Sequence, residues 1–322
     1  MESSRARRGR HGRRSRRARP SRRRPLLYAA LAVVAVGGVT AGATAYVRAR
    51  AHAGTAAVSS SAAPSVSVSA GAGEEASVTE PAVDRDALLS KAMTAVNVPS
   101  GARVSAAVLA VDSGESAGYG DAAFDTASIV KVDILAALLL QAQDADRQLT
   151  AAEQVYATKM IENSDNASAT ALWHSIGGAD GLDAANRRFG LTATSGGDGE
   201  LWGLTQTTAA DQLVLLQQVF SADSELSAAS RTYVQGLMES VEADQRWGVS
   251  AVAAGSNSWA LKNGWLARGT TGLWDVNSIG RVTVDGTDYL VAVLSKGTES
   301  QARGIALVEA AAKAAVSAFA DA

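Results

Sequence analysis

Ser128 and Lys131 stand three residues apart in the stretch Asp125-Thr126-Ala127-Ser128-Ile129-Val130-Lys131. On a helix, residues three apart face the same way, with Cβ atoms about 5–6 Å apart. A serine hydroxyl is a weak nucleophile until a neighbour takes its proton. A lysine removed from water loses its preference for the charged form and can take that proton. The pair is therefore a nucleophile and base that needs no histidine; a solvated serine and lysine on an ordinary helix is the plainer alternative. Two more polar groups follow in order. Ser164-Asp165-Asn166 offers a hydroxyl and an amide, and Lys262-Asn263-Gly264 brings a second cation. Two lysines among acceptor-rich side chains suit an anionic partner.

The elements needed to position these groups are visible in the pattern. Val83 to Val96 carries apolar residues at helical spacing, and Val104 to Val111 is a β-rich run ending in the turn Asp112-Ser113-Gly114. Ser128 to Gln143 is apolar on every face, which predicts a buried central helix opening with the serine. Helices are expected over 151–161, 167–176, 179–189, 208–220 and 226–239. Glu162 to Asn166 forms a polar loop between two of them, and Ser195 to Gly203 forms a glycine-rich one. Trp259 to Leu266 is a candidate strand. Val276 to Val284 and Tyr289 to Ser295 are two more, joined by Asp285-Gly286, a hairpin signal. Ser300 to Ala320 closes the chain as a helix. Strands at both ends around a helical middle predict an α/β (α+β) fold, with one sheet completed by both ends of the domain.

The chain has 322 residues and a formal net charge of −2, which hides an asymmetry. Residues 1–50 hold 14 Arg and one Glu, while the remainder is acidic by 15 charges. An acidic globular part argues against nucleic acid as a partner. There is no cysteine, which excludes disulfides, thiolate metal sites and a cysteine nucleophile. With three histidines in all, a zinc site is not expected, nor is any other metal or cofactor. A Ser-His-Asp triad would have to use His174, whose neighbours Leu172, Trp173 and Ile176 point instead to packing.

Ahead of the domain, residues 1–25 read as an Arg-rich cytoplasmic tail. Residues 26–47 carry no charge, and about 20 such residues span a bilayer. The positive flank keeps the N-terminus inside and sends the rest across. The length of the run favours an uncleaved anchor. The alternative is a signal peptide cut near Ala51-His52-Ala53. Residues 48–80, rich in Ala and Ser, read as a flexible linker to a folded domain over 81–322. An extracytoplasmic, monomeric domain tethered to the membrane is the expectation.

The order Ser-x-x-Lys, Ser-Asp-Asn, Lys-x-Gly resembles the penicillin-recognising serine enzymes, the class A β-lactamases and penicillin-binding proteins. The chain has six lysines, and Lys131 alone has serine three places before it; Lys262 alone opens a Lys-x-Gly. The ordered triple lies on matching elements, and the resemblance covers about residues 85–320. It implies that Ser128 forms an acyl-enzyme, Lys131 activates it, and Ser164 relays a proton to the leaving nitrogen. It further implies that Asn166 binds the substrate amide and that Lys262, Asn263 and Gly264 meet its carboxylate side. The oxyanion hole would be the N–H groups of Ser128 and Trp265. The substrate class implied is β-lactams or D-Ala-type amides of the cell wall, with a D-alanyl-D-alanine carboxypeptidase-like enzyme or an idle cell-wall peptide-binding module as alternatives. Two departures stand out. Asn263 occupies the place of the usual Thr or Ser, and the pattern carrying the deacylating Glu of class A enzymes is absent. Asp198 and Glu200, in the loop Thr194 to Trp202, are the residues available for that work; each is equally well placed to be plain surface.

Overall fold

The computed structural model describes residues 83–255 and 258–320; the tail, apolar run and linker expected over 1–80 lie outside them. No helix among the described residues is long and apolar enough to cross a membrane. In chain order the elements are α1 (Arg85–Met93), β1 (Arg103–Ala110), β2 (Ser116–Tyr119), β3 (Phe124–Asp125), α2 (Val130–Asp144), α3 (Ala151–Glu162), α4 (Asn166–Ile176), α5 (Gly178–Phe189), β4 (Gln206–Thr207), α6 (Ala209–Phe220), α7 (Ala228–Glu239), β5 (Trp259–Ala267), β6 (Trp274–Val284), β7 (Thr287–Thr298) and α8 (Gln301–Ser317).

The main sheet is antiparallel, in the order β2-β1-β7-β6-β5, so both ends of the domain build it as expected. Its strands alternate between two cores. Leu290, Ala292 and Leu294 of β7 face the helical layer around α2. Tyr289, Val291 and Val293 face the layer that includes α1 and α8. With both faces covered, the middle of β7, Tyr289 to Leu294, is apolar at every position, which masks the alternation in the sequence. The β6–β7 turn is Asp285-Gly286, with φ of 50° and 87°. Two left-handed residues in a two-residue loop match the twist of the hairpin, which is why the Asp-Gly signal located it. The expected strands were recovered within a few residues. β2 and the two-residue pair β3–β4 were not foreseen, being too short to carry a period.

Helix α2 runs through the middle of the helical layer with 12 of its residues buried. Two of those are charged types: Lys131, which points to the site, and Asp133, which does not. Asp133 is 1% exposed, and neither carboxylate oxygen has a hydrogen-bond partner; the buried amide of Asn186 on α5 is likewise unpartnered at both atoms. Burial pushes the Asp133 carboxyl up to about 7, with Asp183 on α5 and Asp211 on α6 adding to the rise and Asn186 opposing it. A carboxyl raised above its unfolded value carries a proton in the folded state that the unfolded chain has already lost. Stability is therefore expected to fall as pH rises from about 4 to about 7 and to level off above that, a loss on the order of 4 kcal/mol. Urea midpoints at pH 5 and pH 8 check this. Asp133→Asn should flatten the difference, and an unchanged slope in that variant would assign the pH dependence elsewhere.

Candidate active site

The nucleophile sits at a strained turn. Ser128 lies in a single 3-10 turn, Ala127–Ile129, that precedes α2. This corrects the expectation that the serine opens the α-helix itself. Lys131, in the first turn of α2, still meets the serine from three residues on. Ala127 has φ of 48°, a left-handed conformation that costs a non-glycine residue about 1–3 kcal/mol and recurs where function requires a fixed backbone. The first N–H groups of a helix lack intrahelical acceptors, so the Ser128 N–H is of the kind that can serve a ligand.

Lys131 is fully buried. Its Nζ lies 2.8 Å from Ser128 Oγ, 2.7 Å from the Ser164 carbonyl oxygen, 3.0 Å from Ser164 Oγ and 2.8 Å from Asn166 Oδ1. Burial lowers its pKa to about 7, while the charge of Asp165 works the other way. The neutral amine has two N–H donors and one lone pair. The Ser164 carbonyl and Asn166 Oδ1 can only accept, so they suit the two donors. The lone pair is then free to accept the Ser128 hydroxyl proton. This is the arrangement a general base for serine requires.

Ser164 and Asn166 are delivered by the cap of α4. Asp165 is the N-cap, its carboxylate accepting from Ser168 N at 2.7 Å, and Asn166 is the first helical residue. Ser164 itself has φ of 55°. The Asp of Ser-Asp-Asn thus holds the helix start, and its two neighbours reach Lys131. Ser164 Oγ lies 3.0 Å from Lys131 Nζ and accepts from Lys262 at 3.0 Å. With the Lys131 donors directed to other acceptors, the hydrogen of this hydroxyl is free to turn toward a substrate. A hydroxyl held between two lysines in this way can pass a proton to a leaving group.

The second lysine comes from β5, the edge strand. Lys262 is fully buried and also donates to the Asn263 carbonyl at 2.8 Å. Burial lowers its pKa well below the usual lysine range, and Lys131 lowers it further. Gly264 lies against the nucleophile's turn. A Cβ there would stand 2.7 Å from the backbone nitrogens of both Ser128 and Ile129, so only glycine lets the strand approach this closely. The Asn263 carbonyl faces Lys262 rather than β6. In an antiparallel edge strand the backbone groups two residues on face the same way, which puts the Trp265 N–H on the free edge. The Trp265 indole is on the other face, packed against Trp247 with ring centroids 5.8 Å apart. What Trp265 offers the site is its backbone.

The expected placements of three residues need restating. Asn263 was expected to meet the substrate carboxylate. Its side-chain amide instead donates to the carbonyls of Gln245 at 2.7 Å and Trp247 at 2.9 Å and is 1% exposed. The amide is drawn away from the cleft because those carbonyls, in the segment preceding β5, need donors. Glu200 is exposed and pairs with His174 at 3.2 Å, and Asp198 is exposed as well. Neither hydrogen-bonds to Ser128, Lys131, Ser164 or Lys262. His174 is correspondingly a surface residue rather than a packed one. The group from this loop that does reach the site is Trp202. Its ring centroid lies 5.0 Å from Lys131 Nζ, and its indole N–H donates to Thr170 Oγ1 at 3.1 Å.

The chain is similar to known proteins. The model of the β-lactamase enzyme family matches residues 152–319. A solved structure of PBP-A is similar at 21% identity and a TM-score of 0.63, covering 73% of this chain and 97% of that one. The same coverage, identity and score hold for a variant of PBP-A solved as an acyl-enzyme complex with penicillin G. A class A β-lactamase from Bacteroides cellulosilyticus is similar at 17% identity and a TM-score of 0.61, covering 73% of this chain and 98% of that one. At these identities the likeness carries the fold. No curated protein sequence matches.

Proposed function

Because the chain belongs to the β-lactamase enzyme family and has the mixed fold of its members, we propose that it is an acyl-serine enzyme acting on β-lactams or related D-Ala-type amides. The observation that carries this reading is the Lys131 amine, buried and 2.8 Å from the Ser128 hydroxyl, with its donors directed to fixed acceptors. Ser128 attacks the carbonyl, Lys131 takes the hydroxyl proton, and Ser164 carries a proton to the leaving nitrogen. The N–H groups of Ser128 and Trp265 receive the developing negative oxygen. Asn166 binds the substrate amide. Lys262 donates to the carboxylate side of the substrate without help from the Asn263 side chain, its own pKa held well below the usual lysine range by burial. The Arg-rich start and the uncharged run at 26–47 support an anchored, extracytoplasmic domain, where cell-wall peptides are the available D-Ala amides.

A second reading, a domain that is acylated but barely turns over, is favoured by one observation. No carboxylate hydrogen-bonds to the Ser128–Lys131–Ser164 network among the described residues. Intact-mass spectrometry with penicillin G tests the main proposal. One added penicillin per chain is expected within minutes, and a mass unchanged throughout while the penicillin also stays intact would overturn it.

A further inference from the structure

The turn that carries Ser128 is held by a residue no motif marks. Asn277 on β6 is fully buried, and all of its amide's polar atoms are used. Its Nδ2 donates to the carbonyl of Asp125 at 2.9 Å and to that of Thr126 at 3.0 Å, while its Oδ1 accepts from Ser295 N on β7 at 3.0 Å. One side chain thus ties the central strand β7 to the two carbonyls just before the nucleophile. Ala127 follows those carbonyls in its left-handed conformation, with φ of 48°. The direction of the Ser128 N–H is set by the peptide plane that Ala127 begins. Asn277 is also the direct cross-strand partner of Gly264. Opposed residues on antiparallel strands share a face, so the missing side chain of Gly264 and the amide of Asn277 meet the same turn from neighbouring strands. Polar amides are depleted in strands. A fully buried one with every hydrogen bond satisfied is there for those bonds.

We propose that Asn277 is a positioning residue for acyl transfer: by holding the Asp125 and Thr126 carbonyls it keeps Ala127 left-handed and aims the Ser128 Oγ and N–H at the substrate carbonyl. This rests on Ser128 being the nucleophile of the proposed function. Its role is therefore predicted to appear in the chemical step and not in substrate binding. A misplacement of about 1 Å in such a site costs on the order of 10²-fold in rate.

Two nearly isosteric replacements separate positioning from packing. Asn277→Thr keeps one hydroxyl donor for the carbonyls, and Asn277→Val keeps none. Both are β-branched and suit a strand. The full chain and both variants are compared by stopped-flow reaction with penicillin G and, separately, with a fluorophosphonate, which reports serine reactivity without needing a substrate carboxylate. Measurements are made at a temperature where circular dichroism shows all three folded. The expected order of acylation rate is wild type, then Thr, then Val, with Val slower than wild type by about 10²-fold. The noncovalent dissociation constant for penicillin G should stay within about threefold, since binding groups are untouched. Equal rates in Thr and Val, or a wild-type rate in Val, would overturn the role. So would a weakened dissociation constant with an unchanged rate. Wild type reacting with the fluorophosphonate but not with penicillin G would overturn the substrate proposal and leave the order of the variants to be read from the first reagent. Wild type inert to both would overturn both readings.

Discussion

Ser128→Ala is expected to abolish penicillin labelling outright, and Lys131→Ala to slow it by about 10²–10⁴-fold, the size of a general-base contribution. The two effects differ in kind. Without the Ser128 oxygen no ester can form. Without Lys131 the hydroxyl remains but must lose its proton to water. Because the Lys131 pKa is brought down to about 7 by burial, the base is half available near neutrality. The acylation rate of the wild type should therefore rise with pH through about 7 and level off above it, since the neutral amine is the active form. Lys131→Arg separates basicity from charge. A guanidinium cannot be deprotonated in this range, so the variant should lose the pH-dependent limb along with most of the rate. Stopped-flow acylation from pH 5 to pH 9 reads both. Labelling that survives Ser128→Ala, or a Lys131→Arg variant with wild-type rate and profile, would remove Lys131-assisted attack by Ser128.

The parts of the site legible in the sequence are those that local spacing fixes. Ser128 and Lys131 had to meet because three residues on any tight helix bring them together, and the contact is 2.8 Å across the junction of the 3-10 turn and α2. Ser164 and Asn166 reach the same lysine because Asp165 caps α4 between them, a local signal again. Lys262 and Gly264 share a strand face by the period of two. The parts not legible depend on what lies across a gap in sequence. Asn263 was one residue from two site groups, yet its amide follows the carbonyls of Gln245 and Trp247, and nothing near it in the chain reports that. Trp202 and Asn277 reach the site from 71 and 146 residues after Lys131. The one available hint for Asn277 was a polar residue in a run otherwise suited to a buried strand. The architecture was more readable than the site's periphery. An apolar α2 and an Asp-Gly hairpin are self-declaring, whereas side-chain direction at a strand edge is decided by its partners.

The acyl-enzyme is expected to form quickly and release slowly, and the reason lies in what surrounds Lys131. Acylation uses a base already 2.8 Å from its proton. Deacylation needs a second base that holds a water against the ester, and a carboxylate would serve. Among the described residues no carboxylate hydrogen-bonds to that network, and the Trp202 indole, 5.0 Å from Lys131 Nζ, occupies one flank of it. An aromatic ring offers a water no acceptor of comparable strength. Lys131 is itself fully buried, with four oxygens within 3.0 Å of its Nζ. It has little freedom to activate a water as well. A missing general base costs roughly 3–5 kcal/mol, or 10²–10⁴-fold, so release should be slower than acylation by a factor of that order. Glu200 and Asp198 test the argument from the other side. Glu200 is spent on His174 at the surface, so Glu200→Gln and Asp198→Asn should leave both labelling and release unchanged. A chase experiment after brief labelling with penicillin G measures the lifetime in all three proteins. A lifetime lengthened in one variant alone would show that its carboxylate reaches the ester in the acylated form. Rapid steady-state hydrolysis in the wild type, unchanged in both variants, would instead show that Lys131 serves both half-reactions and that the indole does not keep the hydrolytic water away.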